Sequence, residues 1–198
     1  TRDGGEHWVK KMEGMKEVLM VVTLGMDPTR SSVLYAGTSG GVYKSVNQGA
    51  HWQQVNHGLV PEGMVKTSRA LSVTSVQVDP FTTETVYAAT LAGLYKTTDG
   101  AASWVRIGES MQDQMIVSMV LDRARPGVMY VAARDGIHRS EDGGKSWVVL
   151  NEGLATTNIR SLAQSALDPQ LFYAGTNGSG LYRSTDGGAH WEALPSVF

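Results

Sequence analysis

The chain has 198 residues, of which 41% are hydrophobic and 18% charged, with a net charge of −2. That is a globular balance, and without a basic run it offers no electrostatic footing for nucleic acid or an anionic membrane. It has no cysteine, which excludes disulfides and thiolate metal sites, and no apolar run nears the roughly 18 residues of a membrane helix.

The first element is a short box, Thr1-Arg-Asp-Gly-Gly-Glu-His-Trp8, followed by a predicted strand ending near Met12. The box recurs at Ser45–Trp52, Thr97–Trp104, Ser140–Trp147 and Ser184–Trp191, so it holds all five tryptophans, spaced 44, 52, 43 and 44 residues apart. Its pattern is Ser/Thr-x-Asp-x-Gly-x-x-Trp. Asp3, Asp99, Asp142 and Asp186 fill the acidic position, and Asn47 replaces the aspartate once. Ala101 replaces the second glycine once.

Between boxes the same three segments repeat. A β-branched run ends at Asp27-Pro28, Asp79-Pro80, Asp122 or Asp168-Pro169. A second run carries Tyr35, Tyr87, Tyr130 or Tyr173, and a third carries Tyr43, Tyr95, His138 or Tyr182 before the next box. In the last unit the predicted strands are 159–167, 171–176, 180–184 and 190–194. Four short strands per unit of 40–50 residues is the blade of a β-propeller. The expected architecture is all-β, with four complete four-stranded antiparallel blades near 18–55, 69–107, 115–150 and 158–194. Residues 1–12 supply an extra outer strand of a preceding or closing blade. These blades make no obvious closed circle, so the chain is read as a piece of a larger ring or a chain that needs a partner, with a compact four-bladed ring carrying a spare N-terminal strand as the alternative.

The box has a physical logic. Its glycines supply the positive φ of a tight hairpin, its aspartate accepts backbone N–H groups, and its tryptophan buries a large ring under the turn. Asp3, Trp8, Asn47, Trp52, Asp99, Trp104, Asp142, Trp147, Asp186 and Trp191 are therefore read as structural. Repeated at this spacing along the whole chain, the boxes resemble the Asp-box (BNR) repeats of sialidases, xyloglucan-cleaving glycosidases, sortilin-type receptors and photosystem II assembly factors. The resemblance implies a propeller fold. It leaves function open among enzymes, receptors and assembly factors, and it favours an extracytoplasmic location.

Function is sought where the repeats differ. The 52-residue spacing puts an insertion at 56–68, bringing His57, Glu62 and Lys66, with Arg69 beside it. The loop between second and third strands carries a charged pair, Arg134 and Asp135, in one unit only. Arg160 opens the last unit's first strand, in loose equivalence with Arg69, and two arginines at a channel mouth can grip a carboxylate or an acidic peptide tail. Lys44, Lys96, Arg139 and Arg183 share one repeat position and are read as blade structure.

Catalysis finds less support. The loop-side acids Glu13, Glu17, Glu62, Glu109, Asp113, Asp135 and Glu152 include no pair marked by context as a glycosidase would need. Every tyrosine is used by the repeat, and no Arg-Ile-Pro segment occurs. The five histidines do not group as metal ligands, and no phosphate loop or Gly-x-Ser-x-Gly elbow is present. The expectation is a non-catalytic protein-binding or assembly scaffold without metal or cofactor. Its partner would be a protein, a peptide, a second copy or another ring segment. The alternative is a carbohydrate-active enzyme of the xyloglucanase or sialidase kind.

Overall fold

The computed structural model describes residues 1, 3–15, 20–59 and 71–195. The described residues form sixteen strands in four antiparallel sheets, each in sequential order. Blade 1 holds β1 (Val21–Met26), β2 (Leu34–Thr38), β3 (Gly41–Ser45) and β4 (Gln53–Gln54). Blade 2 holds β5 (Val73–Val78), β6 (Val86–Thr90), β7 (Gly93–Thr97) and β8 (Val105–Ile107). Blade 3 holds β9 (Ser118–Leu121), β10 (Met129–Ala133), β11 (Gly136–Ser140) and β12 (Val148–Val149). Blade 4 holds β13 (Ile159–Gln164), β14 (Phe172–Thr176), β15 (Leu181–Ser184) and β16 (Glu192–Ala193).

The repeat register is shared between blades. Leu24, Val76, Met119 and Leu162 face Ala36, Ala88, Val131 and Ala174 across the first ladder. Alternation then sends one set of side chains to each neighbouring blade. Tyr35 and Val42 of blade 1 pack with Val73, Val76, Val78 and Tyr95 of blade 2. Tyr87 and Leu94 of blade 2 pack with Ile116, Met119 and Leu121 of blade 3. Tyr130 and Ile137 of blade 3 pack with Ile159, Leu162 and Tyr182 of blade 4. The core is thus three layers between sheets, each needing both of its blades, and a fourth, smaller cluster of Ala36, Tyr43 and Trp52 with Met15 and Leu34 on blade 1. Lys44 joins one layer by donating to Gly100 O at 2.7 Å while lying over the Tyr35 ring.

All five boxes close in the same way. The Ser or Thr hydroxyl donates to the acidic position, at 2.6 Å from Thr97 to Asp99 and 2.8 Å from Ser140 to Asp142. The same hydroxyl accepts the N–H four residues on, from Gly5, Gly49, Ala101, Gly144 or Gly188. Asn47 serves as well as an aspartate because its Oδ1 accepts the His51 N–H at 2.8 Å. Ala101 takes a φ of +74° in the glycine's place. The turns of the last four boxes are tied to their blades' first hairpins, as in Gly100 N–H to Glu84 O and Gly143 N–H to Gly127 O. The two kinds of turn therefore emerge at the same end of the blade.

The tryptophan bridges units. Trp52, Trp104 and Trp191 are buried and donate from Nε1 to Lys11, Val55 and Leu150, residues that follow the preceding box. Gly14, Gly58 and Gly153 adopt φ near +87°, and a Cβ there would sit 2.0–2.1 Å from the carbonyl oxygen of the tryptophan they pass. Blade 2 leaves by a different path, through a 3-10 turn at Glu109–Met111, and Trp147 bonds instead to Gly144 O within its own box.

Two expectations are corrected. The first strand of blade 4 ends at Gln164 and not at Leu167, because Ser165 occupies the register of the turn aspartates. The Ser165 N–H bonds to Leu171 O as that of Asp79 bonds to Thr85 O, and Ser165 Oγ accepts the N–H groups of Leu167 and Asp168. The segment after the first box carries no strand among the described residues: its turn closes, but Trp8 is 78% exposed, with no sheet beside it to pair with or to cover the ring.

Candidate functional site

The loops joining β10 to β11 and β12 to β13 come together. They enclose a cavity of about 330 Å³ at the junction of blades 3 and 4. Blade 3 contributes Met115, Val117, Ala133 and Arg134, and the chain entering blade 4 contributes Thr156, Thr157, Asn158, Ile159 and Arg160. The entry loop is held locally: Thr156 Oγ accepts the Asn158 N–H at 3.1 Å, and Asn158 O accepts the Asn177 N–H at 2.9 Å.

Arg134 and Arg160 are both exposed, and neither has an ion pair or a side-chain hydrogen bond among the described residues. Asp135 does not pair with Arg134, as a solvated ion pair would require. It lies 2.7 Å from His138 Nε2, on a histidine that takes the tyrosine's position in the repeat and is itself buried. Asn151 fixes the same loop, with Oδ1 accepting the Ile137 N–H and Nδ2 donating to Asp135 O.

The other expected site residues are not brought here. Glu62, Lys66 and Arg69 lie outside the described residues, as does Glu17. His57 is exposed, and its backbone carbonyl accepts the Trp104 N–H at 2.8 Å. It stands where Glu13 and Glu152 stand in their units, each accepting the next tryptophan's N–H. Asn56 likewise repeats the role of Asn151, bonding Val42 N–H and Gly40 O. The start of the supposed insertion is therefore ordinary repeat, recognisable by an asparagine four residues after the tryptophan. The equivalence of Arg69 and Arg160 also fails. Counted from Ser165, the partner of Arg160 in blade 2 is Thr74, whose hydroxyl donates to Ile116 O at 2.6 Å.

The acids serve turns. Hydrogen bonds from the Thr97 and Ser103 hydroxyls hold Asp99 well below the usual carboxylate range, and those from the Ser146 hydroxyl and N–H do the same for Asp142. The His190 N–H and Ser184 hydroxyl lower Asp186. Burial pushes Asp27 up, but bonds from Thr29 and Arg30 outweigh it and bring it to about 2. Of the loop-side candidates, Asp113 pairs with Arg106, and Glu13 and Glu152 lie 3.8 Å from His51 and His190 of neighbouring boxes. A single exposed group, Asp3, Glu6 and His7, has metal-ligand spacing among the described residues, and it belongs to the first box turn.

The fold is that of a β-propeller, with the cavity among the loops between blades 3 and 4. No family model matches the chain, and no curated protein matches it. Among solved structures it is similar to an ancestral GH74 enzyme, with a TM-score of 0.74 and 25% identity over 90% of this chain and 24% of that one. It is also similar to the GH74 xyloglucanase of Xanthomonas campestris, with a TM-score of 0.72 and 18% identity over 90% of this chain and 31% of that one. A third similar structure is YCF48 from Cyanidioschyzon merolae, with a TM-score of 0.62 and 14% identity over 90% of this chain and 57% of that one. The chain thus spans about a quarter to a third of the GH74 chains it resembles.

Proposed function

We propose that this chain acts as a non-catalytic protein-binding or assembly scaffold of the Asp-box kind, docking another blade of the same repeat. The observation that carries this reading is the first strand on the outer side of blade 1, beside the buried Ala36, Tyr43 and Trp52. Val21, Leu24 and Met26 there are 42%, 67% and 60% exposed. Their register partners in blade 2, Val73, Val76 and Val78, are 0%, 0% and 8% exposed, and Ile116, Met119 and Leu121 of blade 3 are as deeply buried. Three internal layers show what covers such a face: a blade offering a tyrosine and an aliphatic residue at the Tyr35 and Val42 positions. Blade 4 ends in a face of that type, with Leu181 43% exposed where Val42, Leu94 and Ile137 are fully buried. Open apolar faces of this kind mark association surfaces.

The second reading, a glycoside hydrolase, is favoured by the fold likeness to GH74 enzymes.

The test is particle mass by light scattering across a concentration series. The expected result is a wild-type mass that rises above the 21.3 kDa of one chain. Leu24→Asp should hold it at one chain, while Val105→Asp, on an exposed outer strand, should leave it unchanged. A wild-type particle that stays at the mass of one chain throughout removes this reading.

A further inference from the structure

We infer that the cavity between blades 3 and 4 is a carboxylate site, taking the C-terminal end of a peptide with an aliphatic last side chain. At the Arg160 position the other blades carry Val22, Thr74 and Val117, and at the Arg134 position the first two blades carry Ser39 and Leu91. Blade geometry therefore requires neither arginine, yet both line one cavity.

Both guanidiniums are also available. Arg30, Arg106, Arg125, Arg139 and Arg183 each pair with an acid. Arg134 and Arg160 pair with none among the described residues, and the nearest acid in sequence, Asp135, is held by His138. Among the described residues no carboxylate lines the cavity, and its two charged lining residues are both arginines. A guanidinium fork matches a carboxylate in shape and charge, so a cavity lined by two arginines favours an anion.

The rest of the lining selects the kind of anion. Met115, Val117 and Ile159 give an apolar wall, and Thr157 and Asn158 add neutral polar groups. Such a wall suits an aliphatic side chain beside the carboxylate and gains nothing from a bare inorganic anion. A volume of about 330 Å³ holds one terminal residue and its charge but no folded partner. The entry loop is already fixed by its own hydrogen bonds, so little ordering opposes binding. This site goes beyond the assembly reading and uses a different pair of blades, so either can fail alone.

The experiment is calorimetric titration of the intact protein with N-acetyl-Ala-Ala-Leu bearing a free carboxylate, with the same peptide as its C-terminal amide, and with inorganic phosphate. The free acid should saturate in the sub-millimolar range, the amide should bind at least about tenfold more weakly, and phosphate weaker still. Arg134→Gln and Arg160→Gln should each cost about tenfold, with thermal midpoints unchanged because both side chains are exposed. Binding should weaken as salt rises toward about 0.5 M. Equal binding of acid and amide, undiminished binding by both variants, or no saturation by the acid would each overturn the assignment. Phosphate binding as tightly as the peptide would also overturn it, since the apolar wall would then play no part.

Discussion

Replacing Trp104 and Trp8 by alanine, one at a time, separates the two faces of the box. Both tryptophans follow a closed turn of the same kind, with the hydroxyl-to-aspartate and backbone bonds in place. Trp104 is 3% exposed, lies in the layer between blades 1 and 2, and donates to Val55 O at 2.7 Å. Its loss removes a fully packed ring and orphans a carbonyl, a change that costs about 3–5 kcal/mol. In a chain of this size each kcal/mol moves the thermal midpoint by about 2–4 °C, so the expected fall is about 6–20 °C. Trp8 is 78% exposed, and its loss should fall within about 0.5 kcal/mol, a shift of under about 2 °C. Thermal unfolding followed by circular dichroism in the far ultraviolet measures both. Equal shifts would refute the reasoning, because the tryptophan would then act through its own turn and not through the layer between blades.

Two further outcomes follow from the same geometry. Gly153→Ala should lower the midpoint by several degrees in the same assay, since the residue sits at φ +85° and its new Cβ would meet Trp191 O at 2.0 Å; Gly178→Ala, at φ +96° but with open space around it, should cost only the backbone strain and so less. Asp27 is lowered to about 2 in the folded chain, against about 3.9 unfolded. A depressed folded value contributes stability that is fully present above the unfolded value and lost as pH falls through the folded one. Asp27→Asn should therefore destabilise the protein at neutral pH, and the gap from wild type should shrink between about pH 4 and pH 2; a gap independent of pH in denaturant titrations would show that the charge plays no part.

Much of the fold was legible because the repeat writes each rule several times. One box identifies a hairpin, whereas five boxes at blade spacing, with tyrosines and turn residues in step, specify four sheets and their order. Where a unit changed its chemistry, the reading slipped. Ser165 does the work of a turn aspartate, so Asp168-Pro169 drew the strand end three residues too far. His57 and Asn56 looked like an insertion because the length differed, although their bonds repeat those of Glu152 and Asn151. The site was only half legible. Arg134 and Arg160 stood out as departures from the repeat, but their meeting depends on how blade 3 abuts blade 4, which spacing along one chain does not encode. Met115, Thr156, Thr157 and Asn158 carried no sequence signal at all, since neutral loop residues gain meaning only from the cavity they enclose.

The claim that this propeller binds rather than hydrolyses is tested most directly by reducing-sugar release from xyloglucan, using the protein that carries this chain. The expected release is no faster than in buffer, unchanged when Glu109 and Asp113 are made glutamine and asparagine. Sustained release that disappears with either substitution would contradict it, placing a working carboxylate on a face assigned here to recognition alone.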